Sequence, residues 1–212
     1  MKRLFTALGI TLALFFSIST SSFAQQGVIE SDPLDLVTAN AITSTVRIIF
    51  GTDRGFGGCS GVVIKNTPTK SIVLTAKHCL SFDGEMYVQS LEVSSVGTAL
   101  KSDLAYVVLN EFIPNKTPIR LSNYLPKSGD KIVAIGFPGS NLYITKDSIF
   151  VQTPKEQYAW LEIISGCSGG GVYNTHGELI GIMVRHYPTL DISILVRLED
   201  IHTLINVNRL LE

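Results

Sequence analysis

A serine set among glycines, Gly166-Cys167-Ser168-Gly169-Gly170-Gly171, is the stretch of this 212-residue chain best suited to chemistry. Glycines at this density weaken a core strand, because they remove side chains and leave more backbone entropy to lose. What they supply is an open, sharply turned backbone whose N–H groups can point at one spot beside a hydroxyl. A serine hydroxyl is a weak nucleophile and needs a base, usually a histidine that a carboxylate orients. Both stand upstream. Leu74-Thr75-Ala76-Lys77-His78-Cys79 ends an apolar run with a histidine, and Ser102-Asp103-Leu104-Ala105 opens another with an aspartate. The chain order is His78, Asp103, Ser168. His176, His186 and His202 read as ordinary surface residues, and Asp83, in Ser81-Phe82-Asp83-Gly84, reads as turn chemistry rather than as the acid.

The elements that must position these groups read as strands. Short apolar segments rich in β-branched and aromatic residues, bounded by Gly, Pro, Asn, Asp and Ser, fall at 44–50, 60–65, 71–75, 86–96, 104–109, 131–136, 148–153, 159–164, 171–173, 178–184 and 192–196. Asn174-Thr175-His176-Gly177 has hairpin-turn chemistry. Strands at this spacing predict an all-β antiparallel barrel or sandwich rather than an α/β fold. Only 198–211 has helical spacing, with Ile201, Leu204, Ile205 and Leu211 on one face. Residues 25–40 are weakly patterned and read as a surface lead-in. Pro114, Pro118 and Pro126 mark a linker at 113–127, between units at 41–112 and 128–212.

Taken together, these segments resemble the trypsin-like serine proteases. Thr75-Ala76-Lys77-His78-Cys79 is similar to the family's TAAHC stretch, Asp103-Leu104-Ala105 to its DIAL stretch, and Gly166 to Gly171 to its GDSGGP stretch. Cys59-Ser60-Gly61-Val62-Val63-Ile64 and Gly177-Glu178-Leu179-Ile180-Gly181-Ile182 are smaller echoes. Val133-Ala134-Ile135-Gly136-Phe137-Pro138-Gly139 resembles a strand of bacterial enzymes of the high-temperature-requirement type. The resemblance implies two six-stranded antiparallel β-barrels followed by a C-terminal helix, with the site in the cleft between them. It implies Ser168 as nucleophile, His78 as general base, Asp103 as the group that orients the base, and the backbone N–H groups of Gly166 and Ser168 as an oxyanion hole. It also implies a Cys59–Cys79 disulfide, leaving Cys167 as a free thiol. For the substrate pocket it offers Glu162, six residues before Ser168, with Asp191, Val184 and Arg185 nearby, and leaves the residue preferred before the cut undecided. Cys167 departs from the pattern. The digestive enzymes have aspartate there, which pairs with a new N-terminus to activate the zymogen, and a cysteine makes no such ion pair at neutral pH.

The N-terminus reads as an export signal. Lys2 and Arg3 precede an apolar run too short to span a bilayer, followed by small residues ending Ser22-Phe23-Ala24. Cleavage after Ala24 would take the net charge from −1 to −3 and leave no membrane anchor, with the product in the periplasm or outside the cell. No basic cluster suggests a nucleic-acid partner, and oligomeric state has no signature. No histidine–cysteine cluster has metal-ligand spacing, so neither metal nor other cofactor is expected. The expected substrate is a protein or peptide. Two other readings compete. An α/β-hydrolase-type esterase is suggested by Gly166-Cys167-Ser168-Gly169-Gly170 with Asp191 and His202 in Ser, Asp, His order. A secreted binding module would keep the barrels without turnover.

Overall fold

A computed structural model describes residues 32–52, 55–81 and 84–212. The export signal expected at 1–24, the start of the lead-in and Asp83 lie outside the described residues. The chain first forms a helix, α1 (Pro33–Ser44), where the sequence suggested only a surface lead-in. Asp32 caps it by accepting the Leu34 N–H at 3.0 Å, and Pro33 occupies the first turn, where a missing N–H costs nothing. Its buried apolar residues are Leu34, Val37 and Ala41, with Ser44 buried at its end, too sparse an apolar stripe to stand out in the sequence.

Two antiparallel sheets follow. The first contains β1 (Thr45–Thr52), β2 (Gly55–Thr67), β3 (Lys70–Thr75), β4 (Met86–Val88), β5 (Leu91–Glu92), β6 (Ser95–Thr98) and β7 (Ala105–Leu109), in the order β5-β4-β1-β2-β3-β7-β6. The second contains β8 (Lys131–Gly136), β9 (Tyr143–Gln152), β10 (Gln157–Ala159), β11 (Gly171–Asn174), β12 (Leu179–Tyr187) and β13 (Ile192–Arg197), and closes as β10-β13-β12-β11-β8-β9. The fold is thus mostly β, antiparallel and chymotrypsin-like, with a closed six-stranded barrel as its second half. The first half differs in detail: it has seven strands, and its ladder does not close among the described residues.

Local chemistry explains where the strands break. The single run read at 86–96 is a hairpin, because Gln89 and Ser90 both adopt positive φ (58° and 100°) and turn the chain so that Val88 faces Leu91. After β10 the backbone leaves the ladder, although Leu161 and Ile163 stay buried. The Asn174–Gly177 turn joins β11 to β12, with Asn174 Oδ1 accepting the N–H groups of His176 and Glu178. The C-terminal helix, α2 (Leu198–Val207), stops earlier than its apolar spacing suggests. Arg209 turns left-handed (φ 50°), the Leu210 N–H reaches the Ile205 carbonyl and the Arg209 N–H reaches that of Asn206. This is the Schellman ending. The reversal buries Leu210 and leaves Leu211, expected on the inner face, half exposed.

The apolar core falls into three clusters. One fills the first sheet (Val46, Ile48, Val73, Val107 among others) and one fills the closed barrel (Ile132, Ile149, Leu161, Leu195). The third joins Val62, Ile72 and Leu74 of the first sheet to Val133, Ile135 and Tyr173 of the second, beneath Leu34 and Val37 of α1 and Ile201 and Leu204 of α2. The two helices therefore help fix one sheet against the other.

Candidate active site

His78 is presented by a single 3₁₀ turn, Lys77–Leu80, at the end of the buried strand β3. Cys79, next to it, is fully buried and bonded to Cys59 on β2. Asp103 stands in the loop between β6 and β7, closed at its base by the Ala99 N–H donating to the Leu104 carbonyl at 2.9 Å. It grips the histidine twice. Its Oδ1 accepts the His78 backbone N–H at 2.9 Å, and its Oδ2 lies 2.7 Å from His78 Nδ1. A carboxylate offers only acceptors, so Nδ1 carries the proton in this contact and Nε2 is left as the basic nitrogen. Burial pushes the Asp103 carboxyl up, but the hydrogen bonds from His78 outweigh it and hold the group below its ordinary value.

Ser168 comes from the second sheet and is tied to the first. Its carbonyl accepts the Ser60 N–H of β2 at 2.8 Å and lies 3.8 Å from Cys79 Sγ, so its backbone sits against the turn that carries His78. Around it the N–H groups divide cleanly. Cys167 donates to the Ile164 carbonyl, Gly169 to that of Met183 and Gly170 to that of Cys167. The N–H groups of Gly166 and Ser168 have no acceptor among the described residues. Gly166 has φ +94°, a conformation L side chains rarely adopt, and a Cβ at Gly169 would fall 2.2 Å from both the Ser60 carbonyl oxygen and Thr75 Oγ1. Glycine is needed at both positions.

Cys167 is fully buried, and burial pushes its thiol up to about 11. At neutral pH it is an uncharged SH group, suited to packing and not to attack. The ligand atoms of Cys59, His78 and Cys79 lie within 4.8 Å of one another. Because the two sulfurs are bonded to each other, they are not available to a metal.

The pocket candidates separate. Val184 and Arg185, on β12, line a cleft of about 140 Å³ together with Asp103, Lys155 and Glu156. Glu162 is exposed and stands beside Tyr143, whose phenol is pushed up by burial and by that carboxylate. Asp191 is exposed at the turn between β12 and β13, with φ 52°. The structure thus does not gather all four in one place. Sequence reasoning also missed two groups. Ser60 sends a buried hydroxyl into the Ser168 loop from the first sheet and Thr75 donates to the Ser60 carbonyl, yet within their motifs both read only as strand residues. The α/β-hydrolase arrangement is not formed. Every strand pair in both sheets is antiparallel, Asp191 is at a hairpin tip, and His202 Nε2 is bound to the Ser122 carbonyl at 2.9 Å.

Comparison with curated proteins finds no match. Among solved structures, the chain resembles a serine endoprotease from Yersinia pestis (23% identity, TM-score 0.69, covering 82% of this chain and 65% of that one). It also resembles a serine-to-alanine mutant of Rv3671c from M. tuberculosis H37Rv in its inactive form (18% identity, TM-score 0.64, covering 79% of this chain and 88% of that one). At these identities the likeness is one of fold, and the chain spans slightly less than two thirds of the Yersinia protein. The family model for the trypsin-like peptidase domain matches residues 59–182, more than half of the chain and a span that contains His78, Asp103 and Ser168. The chain belongs to the trypsin-like peptidase family.

Proposed function

We propose that this protein is an exported serine endopeptidase working through His78, Asp103 and Ser168. Ser168 Oγ attacks the carbonyl carbon of a peptide bond while His78 Nε2 takes its proton. The carbonyl oxygen becomes an oxyanion, received by the N–H groups of Gly166 and Ser168. The tetrahedral species collapses, the C–N bond breaks, and His78 returns the proton to the leaving amine, which leaves an acyl ester on Ser168. Water then attacks that ester with His78 again as base, releasing the acid and restoring the hydroxyl. Asp103 keeps the imidazole in the required tautomer and stabilises the imidazolium.

The observation that carries this reading is the two-point hold of Asp103 on His78, beside a Ser168 loop with two unused N–H groups. Preorganised donors of this kind act where charge develops, and losing one raises the barrier by roughly 3–4 kcal/mol. The disulfide suits an oxidising compartment and supports export. With Cys167 in place of an acid, activity needs no new N-terminus to form an ion pair. Cleavage of a peptide library by the mature protein tests the reading and reports the pocket preference together. Turnover abolished in Ser168→Ala and His78→Ala is expected. Cleavage that survives in His78→Ala overturns the assignment, and a folded wild type with no turnover favours the binding module.

A further inference from the structure

No acid next to Ser168 holds its loop; a buried hydroxyl from the other sheet does. Ser60 is fully buried on β2. Its Oγ–H donates to the Gly166 carbonyl at 2.9 Å, and the same oxygen accepts the Phe137 N–H at 2.7 Å. Its backbone N–H donates to the Ser168 carbonyl at 2.8 Å. Its own carbonyl accepts the Thr75 Oγ1–H at 2.8 Å. One residue of the first sheet thus holds the segment 166–168 at both ends, and Thr75 holds that residue.

The peptide joining Gly166 to Cys167 lies between the two unused N–H groups. Its carbonyl is fixed by the Ser60 hydroxyl and its N–H by the Ile164 carbonyl at 3.0 Å. The orientation of that peptide plane sets the angle between the Gly166 and Ser168 donors. An oxyanion site depends on such angles, because donors act only when aimed at the position the charge will occupy. Removing the hydroxyl leaves the part-buried Gly166 carbonyl and Phe137 N–H without this partner, and the loop gains a reason to rearrange. Resting on the peptidase reading above, we propose that the Ser60 hydroxyl, held by Thr75, is a positioning residue for the Gly166 and Ser168 N–H pair, in the role that an activating ion pair plays in zymogen-derived relatives.

The test compares peptide turnover and thermal melting for wild type, Ser60→Ala, Thr75→Val and Ser122→Ala. Ser122 is an instructive control: it is also fully buried, and its Oγ also accepts one N–H and donates to one carbonyl, both of Tyr124, outside the site. Ser60→Ala should lower kcat roughly ten- to hundredfold with KM within about twofold, as misaimed donors would. Thr75→Val, which keeps the side-chain shape, should lower kcat several-fold. Ser122→Ala should lower the melting temperature and leave kcat unchanged. A folded Ser60→Ala with kcat close to wild type overturns the proposal while the peptidase reading stands. An equal kcat loss in Ser122→Ala overturns it too, because the effect would then be general loosening. If Ser60→Ala does not fold, an unchanged kcat in Thr75→Val overturns it. A folded wild type without turnover removes the peptidase reading and this proposal with it.

Discussion

Asp103 makes the sharpest demands of any single residue here, because one carboxylate holds both the ring and the backbone of His78. Asp103→Asn keeps the shape but lets the amide donate, which favours the wrong imidazole tautomer. A fall in kcat of about 10⁴ is expected, measured with the best peptide from library profiling. The same residue contributes to acid sensitivity. Its folded value lies below the ordinary 3.8, so its stabilising contribution is complete above that pH and is lost as pH falls through the lower folded value. Melting temperatures measured from about pH 5 to about pH 2 should fall more steeply for wild type than for Asp103→Asn. Cys167 behaves in the opposite sense. With its thiol pushed up to about 11 and fully buried, it should not react with a thiol reagent at pH 8 in the native state, and should react once the protein is unfolded. A fast native-state reaction would contradict its burial. The candidate residues His78, Asp103 and Ser168 stand out in the sequence because each sits in a motif of several residues. Ser60 does not, because the value of its hydroxyl depends on a loop more than a hundred positions away.

The elements show where local pattern succeeds and where it stops. Strands such as β3 and β8, with continuous buried runs after one exposed lysine, are unmistakable. The β4–β5 turn was hidden because Gln89 and Ser90 are not the glycines or asparagines that usually announce positive φ. Helix α1 was hidden because its apolar stripe is thin and gains its meaning only against the cores of both sheets. That role is testable: Leu34→Ala should cost about 3 kcal/mol in denaturant unfolding, far more than a surface lead-in residue would. The Cys59–Cys79 bridge links β2 to the turn that carries His78, closing a loop of 20 residues. Its reduction should lower stability by about 3 kcal/mol in the chain-entropy view. Activity should fall as well, since Cys79 also abuts the Ser168 carbonyl.

At the scale of the whole molecule, the fold brings the paired His78 and Asp103 of one sheet against the Ser168 loop of the other, and ties them through β2 and the disulfide. Family membership and chymotrypsin-like architecture were legible because several motifs fall in the right order, whereas the pocket was not, since loops of unspecified length decide which side chains reach it. Glu162 and Arg185 illustrate the point, one standing beside Tyr143 and the other in the cleft next to Asp103. Helix α1 is capped by Asp32 and packed into the shared core, so trimming into it near Ala41 should reduce activity. A gain on trimming would restore the zymogen switch. The most direct measurement is mass-spectrometric mapping of the folded protein after treatment with a fluorophosphonate, which reports an activated serine without needing the natural substrate. One adduct, on Ser168, absent in His78→Ala and strongly slowed in Asp103→Asn, is the expected result. A folded protein that takes no label there, or takes it equally without His78, would contradict the account.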